Sequence, residues 1–148
     1  MDMADIDAIF KAYDVRGVYP DQMDAPLVQR IGAGFARFLI DEDSSITEVV
    51  VARDMRPSGP ELVAAFIDGV TGQGLNVIDI GLASTDMMYF ASGHLGIPGA
   101  VFTASHIPAQ YNGIKMSRAN AAPIGADTEL ADIKEMAANG LPDAATRG

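Results

Sequence analysis

The sequence predicts a three-layer α/β/α domain built on a mixed, mostly parallel sheet. Three observations predict it. Short apolar runs, at Val49-Val50-Val51-Ala52, at residues 75–80 and at Ala100-Val101-Phe102, alternate with longer segments whose apolar residues recur every three or four positions. The first run is β-branched and continuous, the pattern of a strand covered on both faces in a parallel sheet. Polar, turn-rich segments follow these runs, where ligands collect in layered α/β folds.

Taken in order, residues 25–40 place Leu27, Val28, Ile31, Phe35, Phe38 and Leu39 on one side and Gln29, Arg30 and Arg37 elsewhere, which predicts an amphipathic helix. The strand 49–52 follows and ends at Arg53-Asp54. Ser58 stands three residues before Glu61, with Pro60 in the first turn. This is the spacing of a capping box, and Leu62, Val63, Phe66, Ile67 and Val70 then predict a second helix. Residues 75–80 predict the next strand, closed by Gly81. Ser84 or Thr85 caps a helix through Met87, Met88, Tyr89 and Phe90, whose side chains are expected in the core, and Gly96 or Pro98 ends it. After the strand 100–102, residues 103–113 read as a loop at its carboxyl end. Residues 114–116 read as a short return strand, 127–138 as a last helix, and the stretch from Gly140 as a linker-like tail. One domain over 1–139 with a tail at 140–148 is the expected organisation. There is no internal repeat.

Composition narrows the function. The 148 residues are 49% hydrophobic and 20% charged, enough for a real core, and the formal net charge of −10 opposes binding to nucleic-acid phosphates or anionic lipid. Neither nucleic acid nor membrane is expected as a partner. No cysteine is present, so disulfides, thiolate metal sites and a cysteine nucleophile are excluded. No apolar run approaches the roughly 18 residues that span a bilayer, and the acidic start is unlike a signal peptide, so a cytoplasmic location is expected. A Rossmann-type nucleotide site is disfavoured because no G-x-G-x-x-G follows the first strand; Gly32-Ala33-Gly34 lies inside a predicted helix.

The segment Thr103-Ala104-Ser105-His106-Ile107-Pro108 sets a hydroxyl beside an imidazole in the loop after a buried strand. Residue types alone leave two readings open: a surface loop with a serine in a turn, or a reactive loop. A serine-hydrolase site is excluded by the absence of a G-x-S-x-G elbow. Other segments carry a comparable pattern: Phe10-Lys11-Ala12-Tyr13-Asp14-Val15-Arg16-Gly17, Val51 to Gly59 with Asp54, Arg56 and Ser58, Gly81-Leu82-Ala83-Ser84-Thr85, and Tyr111-Asn112-Gly113-Ile114-Lys115.

In order and spacing these segments resemble the α-D-phosphohexomutases, the family of phosphomannomutases and phosphoglucomutases. TASHIP resembles the family's TASHNP phosphoserine loop, and the others its F-x-x-Y-D-x-R-G, G-x-D-x-R-x-S, G-x-x-P-T and Y-N-G-x-K segments. The resemblance implies a phosphoserine at Ser105 that interconverts hexose 1-phosphate and hexose 6-phosphate through a hexose 1,6-bisphosphate. Lys115 and Arg16 are then implied in acid/base or electrostatic roles at the transferring phosphoryl group, and His106 beside them. Tyr13, Thr103 and Asn112 are implied in phosphate or substrate contacts. Positioned cations are what phosphoryl transfer chiefly requires. Arg53, Asp54 and Arg56 are expected to orient the loops through a local ion-pair network.

The sequence departs from the family at Ile107, where an asparagine is usual, and at Ala83-Ser84, where a proline usually precedes Thr85. The resemblance further implies a Mg²⁺ ion, a hard cation for oxygen ligands, held by the Ser105 phosphate and by three aspartates of a D-G-D-G-D loop. That loop is missing, as are the G-E-x-S-G-H and R-x-S-x-T segments. The resemblance therefore covers the first of four domains, and domains II–IV are expected partners without which the chain is inactive, as an excised domain or truncated product. The alternative expectation is a non-catalytic sugar-phosphate-binding or interaction domain of the same fold. The acidic cluster Asp41-Glu42-Asp43 and His94 are expected to be solvated surface and a helix end.

Overall fold

A computed structural model describes residues 6, 8–11, 14–103, 110–119, 122–124, 129–144 and 147–148. The elements run β1 (Val15–Val18), α1 (Ala25–Glu42), β2 (Glu48–Arg53), α2 (Gly59–Gly72), β3 (Asn76–Leu82), α3 (Thr85–Leu95), β4 (Gly99–Phe102), β5 (Tyr111–Arg118), β6 (Ala122–Pro123) and α4 (Glu129–Asn139). The sheet order is β1-β5-β4-β2-β3, and β6 pairs with β5 outside that path. β2 lies parallel to β3 and β4, whereas β5 lies antiparallel to β4, β1 and β6. Only β5 runs against the other strands, so the sheet is mixed and mostly parallel, as the sequence predicts.

Side-chain alternation along the strands sorts the core onto two faces. Val49, Val51, Ala100, Phe102, Ile114 and Met116 point to α1, α2 and α4, where the main core forms around Phe35, Phe66 and Ile133. Phe66 meets Phe102 edge-on at 5.3 Å and Phe35 at 5.8 Å between ring centroids, so the aromatic rings link both central helices to the sheet. Ala52 and Val101 point the other way, onto Met88 of α3. The crossover from β2 to β3 through α2 lies on one face, and that from β3 to β4 through α3 on the other. The carboxyl ends of β2 and β4 therefore lie at a topological switch point, the place where open α/β sheets ordinarily bind ligands.

Several local outcomes differ from the sequence reading. The Ser58/Glu61 capping box does not form: Ser58 has αR dihedrals and makes no capping hydrogen bond, because its hydroxyl accepts instead from Asn112. The Glu61 carboxylate accepts from the Tyr19 hydroxyl, and that bond raises the tyrosine above its ordinary pKa. β3 continues past Gly81, which takes φ +70° beside a register shift in the β2–β3 pairing and donates its N–H to Asp79 Oδ1 at 2.8 Å. β5 runs over eight residues rather than three, because Tyr111, Asn112 and Gly113 pair with β1 despite their loop-like composition. Of the four residues 87–90, Met88 is buried, but Met87 and Phe90 are 56% and 72% exposed. α3 packs on its face of the sheet alone, so only one side of it is covered. Ser84 rather than Thr85 caps α3, and Gly96 ends it at φ 68°. Residues 127 and 128, the predicted start of the last helix, lie outside the described residues.

Among the described residues beyond Asn139, Ala144, Arg147 and Gly148 lie along the end of α2. Ala144 and Gly148 donate their backbone N–H groups to the carbonyls of Gly72 and Thr71 at 2.7 and 2.8 Å, and Arg147 reaches Asp68 Oδ1 at 2.6 Å. They thereby satisfy carbonyls that a helix end leaves without intrahelical donors.

At the start of α1, Asp24 has extended dihedrals and its carboxylate accepts the N–H of Leu27 at 2.9 Å, with Pro26 in the first turn. Asp24→Ala removes this cap. It should lower stability by about 1 kcal/mol, read as an earlier urea midpoint with an unchanged slope.

Candidate active site

The carboxyl ends of β1, β2 and β4 and the amino end of β5 meet at the switch point. Gly113 lies at its centre. Its backbone is opposite Arg16 in the β1–β5 register, and its carbonyl accepts the N–H of Thr103 at 2.9 Å. A Cβ at this position would stand 2.6 Å from the Val15 carbonyl, 2.8 Å from Arg16 Cγ and 2.8 Å from the Thr103 carbonyl. Only glycine lets the Arg16 stem and the start of the loop close onto β5.

Arg16 and Lys115 emerge on the same face of the sheet. Residues opposite one another in an antiparallel pair share a face, and so do residues two apart on a strand. Arg16 is opposite Gly113, Gly113 precedes Lys115 by two, and Lys115 is opposite Val101, which faces α3. The Arg16 side chain is 43% exposed, with its Nε 3.2 Å from Asp14 Oδ1, so one carboxylate steadies a cation that keeps access to solvent. Two cations on one face, with Thr103 at the end of β4 bonded to Gly113 between them, form a place where an anion could be held.

Asn112 points to the opposite face. It is 0% exposed, its Oδ1 accepts the Gly113 N–H at 2.8 Å, and its Nδ2 donates to Ser58 Oγ at 2.8 Å. Arg56 is 8% exposed and lies alongside: its Nε is 3.2 Å from Asp54 Oδ2, and its Nη1 donates to the Tyr111 carbonyl at 3.2 Å. The Asp54 backbone N–H donates to the Phe102 carbonyl at 2.9 Å. The β2–α2 connection thus holds the chain immediately before and immediately after residues 104–109.

Of the sequence-predicted site residues, Arg16 on β1, Lys115 on β5 and Thr103 just past β4 gather around Gly113, while Asn112 lies next to it with its side chain on the other face. Thr103 is buried at the mouth of the loop. Ser105, His106 and Tyr13 lie outside the described residues. Of the expected network of Arg53, Asp54 and Arg56, the Asp54–Arg56 pair is formed. Sequence reading did not find the parts of Gly113, Ser58 and Tyr111. The Y-N-G signal was visible, but glycine and serine give no hint of which strand approaches them. Among the described residues no three His, Cys, Asp or Glu side chains gather as metal ligands. In the acidic cluster, Asp41 pairs with Arg37 at 3.1 Å and Glu42 with Arg118 at 2.7 Å. His94 stacks on Phe90 at 5.6 Å near the end of α3. Among the described residues no helix is long and apolar enough to cross a membrane.

The fold, an α/β/α domain with two cations on one face near its switch point, defines a broad class of layered α/β domains, and comparison with known proteins narrows it. The family model "Phosphoglucomutase/phosphomannomutase, alpha/beta/alpha domain I" matches residues 7–141. A phosphomannomutase of Klebsiella pneumoniae is 41% identical over 143 residues, which cover 94% of this chain and 88% of that protein. A phosphomannomutase of Vibrio cholerae is 41% identical over 86% of this chain and 28% of its own length. A crystal structure of a phosphoglucomutase/phosphomannomutase family protein from Burkholderia thailandensis superposes with a TM-score of 0.84 at 34% identity, covering 94% of this chain and 31% of that one. This chain belongs to the phosphoglucomutase/phosphomannomutase family and corresponds to its α/β/α domain I. It spans less than a third of the Vibrio and Burkholderia relatives.

Proposed function

We propose that this chain is the phosphoserine-bearing part of a cytoplasmic phosphohexomutase that interconverts hexose 1-phosphate and hexose 6-phosphate. The observation that carries the reading is the convergence of Arg16, Thr103 and Lys115 on Gly113, at the mouth of the segment holding Ser105, in a domain of this family. In the proposed cycle the Oγ–P bond of phosphorylated Ser105 breaks as a P–O bond forms to the free hydroxyl of a hexose monophosphate. The hydroxyl proton leaves to a base and Ser105 Oγ regains a proton. The bisphosphate then turns, and its other phosphate returns to Ser105. Lys115 is the proposed proton-handling group, Arg16 and His106 offset phosphoryl charge, and Tyr13 and Thr103 contact phosphate or substrate. Bound Mg²⁺ would neutralise phosphate charge. Its proposed ligands are the Ser105 phosphate and three aspartates of the second domain, since the described residues supply no carboxylate cluster.

The test is peptide mapping by mass spectrometry of the full-length protein after incubation with hexose 1,6-bisphosphate and Mg²⁺. The expected result is phosphate on Ser105 that is lost when a hexose monophosphate is added. A folded full-length protein with unmodified Ser105 would overturn the mutase reading in favour of a non-catalytic sugar-phosphate-binding domain.

A further inference from the structure

We propose that Asn112 and Ser58 form a buried positioning lock: Asn112 acts on the reaction through the backbone of Gly113 and does not contact the sugar phosphate. The proposal rests on the mutase reading for its catalytic consequence, though not for the lock itself. The amide orientation of Asn112 is fixed by chemistry. The Gly113 N–H can only donate, so the oxygen faces it, and the NH₂ group is left for Ser58 Oγ. Both polar atoms of the side chain are thus engaged inside the protein, on the face away from Arg16 and Lys115.

Ser58 makes the arrangement more than a packing detail. It occupies the N-cap position of α2, where a serine ordinarily satisfies a helix N–H, yet it makes no such bond and serves Asn112 instead. The helix start is left weaker so that α2 can grip β5. The grip continues through Arg56 to the Tyr111 carbonyl and through the Asp54 N–H to the Phe102 carbonyl. These three bonds reach from one connection, residues 54–58, to both sides of the segment that holds Ser105. What they set is the position of Gly113, and with it the spacing between Arg16, opposite on β1, and Lys115, two residues further along β5. Misplacing reacting groups by about 1 Å costs on the order of 10²-fold in rate, so a lock of this kind is visible in kinetics.

Full-length Ser58→Ala, Asn112→Ala and the double variant test this. Two readouts are needed: steady-state kinetics with hexose monophosphate, and hydrogen exchange of the Thr103 and Gly113 amides. Each single variant should lose about tenfold to a hundredfold in kcat with KM within about threefold, the signature of lost transition-state alignment rather than lost ligand contact. The double variant should be no slower than the worse single, because both residues act through one bond. Exchange at Gly113 and Thr103 should quicken in Ser58→Ala. A KM rise with kcat preserved in Asn112→Ala would overturn the proposal by making Asn112 a ligand, and unchanged kcat and exchange in Ser58→Ala would overturn it equally. If the wild-type protein shows no mutase activity, the mutase reading fails on its own, and exchange in Ser58→Ala still decides whether the lock exists. If Asn112→Ala does not fold, Ser58→Ala carries both readouts.

Discussion

Alanine at Gly69 is expected to destabilise the domain by about 3 kcal/mol, the upper end of ordinary overpacking, and to lower Tm by roughly 10 °C. Gly69 lies where α2 crosses α1. A Cβ there would stand 2.0 Å from the Gln29 carbonyl and 2.8 Å from the Ala33 nitrogen, and a Cβ at Gly32 would stand 2.4 Å from the Phe66 carbonyl. The two glycines bring the helix backbones into direct contact. The obstacles are main-chain atoms, which cannot rotate aside as a flexible side chain can, so the helices must separate. Separation would pull Phe35 and Phe66 apart and loosen the core that backs the sheet. Alanine favours a helix over glycine by about 1 kcal/mol, so the clash must outweigh that gain. The comparison is Gly93→Ala on the open side of α3, where nothing lies within 4 Å of the added methyl. The same substitution should stabilise there by about 0.5–1 kcal/mol. Denaturant midpoints of the two variants moving in opposite directions would establish the backbone contact. A Gly69→Ala protein as stable as the parent would refute it.

Lys115→Ala in the full-length protein should reduce kcat by about 10²–10⁴, the range for loss of a general acid or base, with little change in Tm. Lys115 is partly exposed on the α3 face of β5, while its neighbours Ile114 and Met116 carry the core packing on the other face, so truncation leaves no cavity. Lys115→Arg separates two roles. Arginine keeps the positive charge but does not give up a proton at accessible pH, so it restores activity only if charge alone is needed. A mutant arginine enzyme as slow as the alanine variant would identify proton transfer. Recovery to within about tenfold would identify electrostatic stabilisation. An alanine variant with full activity would remove Lys115 from the chemistry and direct attention to Arg16, the other cation on the same face.

The sequence by itself determined the layered fold, because burial leaves a direct trace in residue order. Leu27, Ile31, Phe35 and Phe38 mark a helix face, and Val49 to Ala52 mark a strand covered on both sides. It also marked the segments that resemble the family's motifs, since the Y-D-V-R-G, T-A-S-H and Y-N-G-I-K strings are local. The tertiary structure alone decided their relation. Which way β5 runs, that Arg16 comes opposite Gly113, and that Asn112 turns away from the two cations all follow from strand pairing, in β1 and β5 between residues about a hundred positions apart. The tertiary structure also overrode local rules. Ser58 and Glu61 have the spacing of a capping box, but Asn112 and Tyr19, brought close by folding, take the hydroxyl and the carboxylate. A local motif states what a side chain could bond. The partners that folding brings within reach decide what it does bond, and at Ser58 this is because the buried Asn112 amide left unpaired would cost more than a helix cap contributes.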